Sequence, residues 1–237
     1  PAPPPPAPAP DHARPTLSPE QQAAADHLTA KVAEGGYSVT LLDGVTGSGK
    51  TEVYFEAVAE TLRRGRQVLI LVQEIALTNE FLARFTRRFG AHPAEWHSGI
   101  PPRGREKVWR GVAGGTTQVV VGARSALFLP FAPLGLIVVD EEHDLAYKQE
   151  DGAVYSARDM GVVRAHLAGF PVVLSSATPS IESRVNADAG RYTRIVLAGR
   201  YQDAALPMIS AVDLRKDQPE RGRFLSPPLV EAIAETV

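Results

Sequence analysis

The chain has 237 residues, of which 44% are hydrophobic and 22% charged, and its formal net charge is −2; this suits a folded α/β core and excludes a uniformly basic nucleic-acid coat. The absence of cysteine excludes a disulfide framework and any cysteine-ligated zinc in this segment. No apolar run is long enough to cross a bilayer and no secretory signal is evident, so the expected setting is cytoplasmic, with no membrane partner.

Seven of the first ten residues are proline, so residues 1–16 are expected to form a stiff polyproline-type linker, with something further upstream of it. Residues 18–34 then read as a helix, with Ser18 as N-cap and Pro19 at the first helical position. Apolar stretches at 38–43, 67–72, 117–122, 135–140 and 171–176 alternate with helical patterns at 50–64, 77–89, 103–113 and 158–168. Near-continuous apolar strands separated by helices predict a mostly parallel sheet covered on both faces, an open α/β domain with ligands at the carboxyl ends of its strands. Beyond Gly199 the pattern weakens into a polar connector, and a short helix starts near Pro227. The predicted division is therefore a linker at 1–16, a lobe at 17–199, and at 200–237 a connector leading into a further domain.

Between residues 84 and 110, Arg84, Arg87, Arg88, Arg103, Arg105, Lys107 and Arg110 outnumber Glu95 and Glu106. Such an excess fits either phosphate contacts or solvated helix faces.

Gly44-Val45-Thr46-Gly47-Ser48-Gly49-Lys50-Thr51 matches G-x-x-x-x-G-K-[ST] between an apolar strand and a helix. Its glycines let backbone N–H groups close around phosphate oxygens, and the helix start adds its positive dipole end. Lys50 is the candidate for the β- and γ-phosphates, and the Thr51 hydroxyl for Mg²⁺. Ninety residues later an apolar strand ends in Asp140-Glu141-Glu142-His143. Asp140 is the second Mg²⁺ candidate, and Glu141 is the group to orient and deprotonate a water. Together the two motifs predict a nucleoside triphosphatase that uses Mg²⁺.

The acidic motif has the D-E-x-H form of superfamily 2 helicases, and Ser176-Ala177-Thr178 resembles their third motif, in which Ser176 and Thr178 couple nucleotide state to the acids. His143 joins the catalytic set on the same resemblance. Leu17-Ser18-Pro19-Glu20-Gln21 is similar to the upstream motif in which Gln21 reads adenine. The stretch 74–78, ending in Thr78, and Gly122-Ala123-Arg124-Ser125-Ala126 resemble strand-binding motifs, with Thr78, Arg124 and Ser125 as DNA contacts. Tyr147-Lys148-Gln149-Glu150, through Tyr155 to Ala157-Arg158-Asp159, resembles the aromatic-rich loop of the primosomal replication-restart helicases. In that loop Tyr147 and Tyr155 would stack on unpaired bases, while Lys148 and Arg158 would contact phosphate. Gln73, Ala153, Val154 and Ser156 depart from that family's usual residues, which bears on DNA coupling.

The resemblance covers roughly 17–237. It implies a RecA-like P-loop lobe, the first of two in an ATP-dependent 3′-to-5′ DNA helicase, acting on single-stranded and forked DNA with primosome and replicative helicase-loading proteins and associated with the nucleoid. A second lobe of the same chain would face the γ-phosphate, so this segment alone would be poorly active. Two other readings stand beside it: a different superfamily 2 translocase, and a non-catalytic DNA-binding scaffold.

Overall fold

The structure, a computed structural model, describes residues 6–73, 79–199 and 210–236. It divides into two units, Pro1–Gln202 and Asp203–Val237. The smaller unit carries helix α7 (Pro227–Thr236), close to where the apolar pattern after Pro227 predicts one.

In the larger unit, α1 (Pro19–Glu34) starts with a reciprocal cap. The Ser18 hydroxyl accepts from the Gln21 N–H, and the Gln21 side-chain oxygen accepts from the Ser18 N–H, satisfying two backbone donors. There follow β1 (Ser38–Gly44), α2 (Lys50–Arg63), β2 (Gln67–Leu71), α3 (Asn79–Phe89), β3 (Ala94–Trp96), α4 (Pro102–Ala113), β4 (Val119–Gly122) and β5 (Leu134–Asp140). A two-residue hairpin of β6 (Lys148–Gln149) and β7 (Tyr155–Ser156) leads to α5 (Ala157–Ala168), β8 (Pro171–Ser176), α6 (Ile181–Asp188) and β9 (Thr193–Leu197).

Seven strands form one parallel sheet in the order β3-β4-β2-β5-β8-β1-β9. Successive side chains enter opposite cores. In β2, Val68 and Ile70 pack with α1, α2 and α3, whereas Leu69 and Leu71 pack with α5 and the 3₁₀ turn at Arg124–Phe128. Burial on both faces is why these strands read as unbroken apolar runs.

Besides the short β6–β7 hairpin, β3, β9 and α6 lie outside the predicted set. Strand β3 has only three partly buried residues, and edge strand β9 is mostly exposed, so neither has an apolar signature. Helix α6 is eight residues long and mainly polar. Part of the amino-terminal stretch docks on the end of α3. The N–H groups of Ala9 and Ala13 donate to the carbonyls of Phe89 and Arg88 at the end of α3, and Arg88 donates to the Pro10 carbonyl at 2.7 Å.

Candidate active site

The sheet order places the tip of β8 between the tips of β1 and β5, so the phosphate-loop candidate, the Ser-Ala-Thr turn and the acidic motif all emerge on one edge. Gly47 and Gly49 take φ values of 81° and 80°, in the left-handed region that a side chain resists. A Cβ on Gly49 would lie 2.4 Å from Gln21 Nε2, and one on Gly44 would lie 2.6 Å from Ser48 Oγ. These glycines therefore give the loop a cradle that no larger residue permits. Inside it the Ser48 hydroxyl is buried without a protein partner, and α2 opens immediately beyond with the unpaired N–H groups of a helix start. An unsatisfied hydroxyl in a glycine cradle at a helix amino terminus suits a bound phosphate.

Lys50, the first residue of α2, is nearly buried. Its ammonium donates to the Gly44 carbonyl at 2.7 Å and stands 4.0 Å from Glu141 Oε1. Thus the lysine of one turn and the acid of another strand tip share a pocket. Asp140 is held from several sides. Tyr54, fully buried one turn after Lys50, donates to Asp140 Oδ2 at 3.0 Å, and the Glu141 N–H donates to Oδ1 at 3.1 Å. Burial, and then the charge of Asp140, raises the Tyr54 hydroxyl pKa well above its ordinary value, so it remains a donor. Glu141 is the one non-glycine residue with positive φ (45°) among those described, a conformation costing about 1–3 kcal/mol. Its carboxylate is partly exposed, 3.6 Å from His143 Nδ1. His143 Nδ1 pairs with Ser176 Oγ at 2.8 Å, and the same hydroxyl accepts from the Thr178 N–H at 3.0 Å. Ser176 thus ties the third motif to the acidic one, while Thr178 contributes its backbone and keeps an exposed side chain.

A cavity of about 620 Å³ is lined by Thr46 to Glu52, Gln21, Asp140 and Glu141 together with residues 13–17, Arg84, Arg87 and Arg88. Gln21 bridges helix and loop, because its Nε2 donates to the Ser48 carbonyl at 2.8 Å while its oxygen caps α1. Val45 is exposed at the loop entrance. Among the described residues no three His, Asp or Glu side chains are grouped to hold a metal by themselves. Thr51 and Asp140 offer hard oxygen donors, which fit Mg²⁺ completed by phosphate and water oxygens.

The DNA candidates divide. Tyr147 is 2% exposed, and its hydroxyl bonds the carbonyls of Leu71 and Asp140. Burial, followed by the charge of Asp140, raises its pKa well above the usual tyrosine value. The ring has no free face for a base, so its expected stacking role is corrected to one of holding the acidic strand tip. Arg158, 7% exposed, is corrected likewise. It donates to Glu142 Oε2 at 3.2 Å and Ser180 Oγ at 2.7 Å, and its Nε donates to Asp159 at 2.7 Å. Burial pulls the Arg158 pKa down, but the bonds and charges of Asp159 and Glu142 outweigh it and the net shift is upward. Lys148 and Ser125 are exposed. Arg124 donates to the Lys148 carbonyl at 2.8 Å, tying its turn to the aromatic-rich loop. Tyr155 is half-buried and stands edge-on to Phe128, which is 60% exposed, with ring centroids 5.2 Å apart. Thr78 and the stretch 74–78 lie outside the described residues.

The basic stretch is also partly accounted for within the fold. Arg84 pairs with Glu52 and Arg88 with Glu56, both at 2.7–2.8 Å, linking α3 to α2. Sequence reading missed Tyr54 and Glu142 as site residues. Helical spacing alone puts Tyr54 on the face of Lys50 four residues earlier. Glu142, 1% exposed, accepts from the Ser180 N–H and from the hydroxyls of Ser180 and Ser183. These serine partners lie 38 and 41 residues on, Arg158 lies 16 residues on, and no local signal marks them.

With this geometry in place, comparison with known proteins decides the family. The DEAD/DEAH box helicase model matches residues 18–186. The chain belongs to the DEAD/DEAH box helicase family. It is 44% identical over 223 residues to the replication restart protein PriA of Rickettsia felis, covering 94% of this chain and 34% of that protein. To PriA of Bacillus subtilis it is 40% identical over 222 residues, covering 93% and 28%. The chain thus spans about a third of the length of these curated relatives. Among solved structures, RecG bound to a three-way DNA junction superposes with a TM-score of 0.58 at 22% identity, over 79% of this chain and 24% of RecG. The Hef helicase domain of Pyrococcus furiosus gives 0.51 at 20% identity, over 76% and 38%. Those two likenesses establish the RecA-like α/β fold that the sheet displays.

Proposed function

We propose that this helicase-family lobe is the ATP-binding first motor lobe of a 3′-to-5′ DNA helicase acting at stalled or repaired replication forks during primosome assembly. The observation that carries the reading is the convergence of Lys50, Thr51, Asp140 and Glu141 on one cavity, combined with similarity to PriA over nearly the whole chain. The volume suits a nucleotide.

Lys50 would hold the β- and γ-phosphates while the glycine cradle fixes their orientation. Thr51 and Asp140 would hold Mg²⁺, which neutralises phosphate charge when bound. Tyr54 restrains one Asp140 oxygen and the Glu141 N–H the other, so the carboxylate meets the site in a set rotamer. Glu141, partly exposed and turned by its positive φ, orients a water and receives its proton. Ser176, through His143, would report a change beside Glu141 to the third motif. On the DNA side, Ser125 and Lys148 would contact phosphate, and Tyr155 with Phe128 would stack on bases; Gln21 would read the adenine edge. Fork DNA, the primosome and helicase-loading proteins are the proposed partners, and a second lobe would complete the site, leaving this segment alone a weak ATPase.

The test is the ATPase rate of the full-length protein with and without single-stranded DNA, set beside Glu141→Gln. Loss of turnover by at least about 100-fold with nucleotide binding retained is expected, as for removal of a general base. DNA-stimulated turnover that survives the substitution would refute the assigned role.

A further inference from the structure

The amino-terminal strap is fastened at one end and walls the cavity at the other. Its docked part closes the end of α3: the N–H groups of Ala9 and Ala13 reach the Phe89 and Arg88 carbonyls at 2.8 and 3.3 Å, which a helix terminus leaves without intrahelical partners. The His12 ring lies against Gly90, where a Cβ would stand 2.7 Å from Nδ1. Arg88, buried, grips Glu56 of α2 with one edge and the Pro10 carbonyl with another. Asp11 then clasps the strap to the end of α2, accepting from Arg63 at 2.8 and 3.4 Å as well as from Arg14. The bonds from Arg63 and then Arg14 hold the Asp11 pKa far below the ordinary carboxylate range, so the clasp is charged at neutral pH.

Immediately afterwards, residues 13–17 line the same cavity as the glycine cradle before Ser18 starts α1. Pro10 and Pro15 restrict the backbone on both sides of the clasp, so docking at 9–14 fixes where the wall at 15–17 stands. We infer that Asp11 is a positioning residue for the nucleotide: it seats the strap so that residues 13–17 close on the nucleoside end of the ligand, and nucleotide binding in turn holds the strap down. The inference rests on the nucleotide reading of this cavity. It extends that reading to a segment whose composition suggests only a spacer. Coupling of this kind is reciprocal, so the factor by which the strap tightens nucleotide equals the factor by which nucleotide tightens the strap. An exposed ion pair limits that factor to about two- to fivefold.

The experiment compares Mg²⁺-ATP with Mg²⁺-tripolyphosphate, which has phosphates but no nucleoside, by calorimetry on the full chain and on Asp11→Asn. The variant is expected to bind ATP about threefold more weakly while its tripolyphosphate affinity stays the same. Arg63→Gln, which breaks the clasp from the other side, should reproduce the loss, and the double variant should be no worse than either single one. Hydrogen exchange at the Ala9 and Ala13 amides should slow by a similar factor with ATP and remain unchanged with tripolyphosphate. Equal ATP affinity in parent and variants, or equal weakening toward both ligands, overturns the inference while leaving the nucleotide site intact. Failure of the parent chain to bind either ligand removes the nucleotide reading itself, and the inference with it.

Discussion

Replacing Arg158 with methionine separates two roles for this residue that make opposite predictions. The Glu142 carboxylate has no exposed side-chain surface and Arg158 has 9%, so deleting the guanidinium leaves a buried charge without its counter-charge. Breaking a buried pair in this way costs about 3–5 kcal/mol. Three donors from Ser180 and Ser183 remain on the carboxylate, which places the expected loss near the lower end, about 3 kcal/mol. Urea unfolding measures it as a drop in midpoint with little change in slope. Arg158→Met combined with Glu142→Gln removes both charges and should recover part of the loss. An arginine acting as a DNA phosphate contact would instead leave stability unaltered and lower the salt slope of DNA binding by about one. Stability of Arg158→Met within 1 kcal/mol of the parent would defeat the structural assignment.

Three further outcomes follow from the same geometry. Tyr54→Phe removes the hydroxyl on Asp140 Oδ2; it should cost about 0.5–1.5 kcal/mol of stability and raise the Mg²⁺ concentration for half-maximal ATP turnover, as read by metal titration. Gly49→Ala meets both a left-handed backbone and Gln21 Nε2 at 2.4 Å, whereas Gly169→Ala at φ 71° meets nothing within 4 Å. The second should lose about 1–2 kcal/mol from backbone strain alone, and the first should lose more and weaken nucleotide binding, with thermal melts and calorimetry deciding. Burial, then the charge of Lys31, pulls the His27 pKa below 6.5, and its Nε2 is buried without a partner. A folded-state pKa lowered below the unfolded one means that the unfolded chain binds the extra proton more readily. Stability from this residue is therefore complete above about pH 6.5 and declines as pH falls through the interval below it. His27→Gln should flatten that part of the stability–pH curve; an identical slope in parent and variant would exclude His27 as its source.

How much of this was legible in the sequence depends on how far each feature's cause lies along the chain. The glycine loop is readable because the residue type itself supplies the backbone: Gly47 and Gly49 occupy conformations that other residues resist, and Lys50 opens the helix. The five strands predicted from apolar runs are readable because both faces of each are buried, which leaves no polar alternation to confuse them. Strand β9 hides for the converse reason. It is an edge, and its Arg194 serves the nearly buried Asp43 of β1, 151 residues away, at 2.6 Å.

Tyr147 and Arg158 show the same limit in function. A tyrosine and an arginine in a polar loop fit base stacking and phosphate contact as well as they fit an internal brace. The choice is made by Leu71, 76 residues before Tyr147, and by Ser180, 22 residues after Arg158. Both buried residues remain bonded to the acidic motif. Tyr147 touches the backbone of Asp140, and Arg158 touches the carboxylate of Glu142, two residues farther along. A displacement of the loop would therefore reach the acidic motif through buried hydrogen bonds even if neither side chain met DNA. The exposed members, Lys148 and the Phe128–Tyr155 pair, would then receive the strand while the buried ones transmit its arrival. On this argument Lys148→Ala should weaken DNA binding with basal ATP hydrolysis preserved. Tyr147→Phe should change hydrolysis itself, by releasing Asp140, while the exposed DNA-facing surface stays as it was.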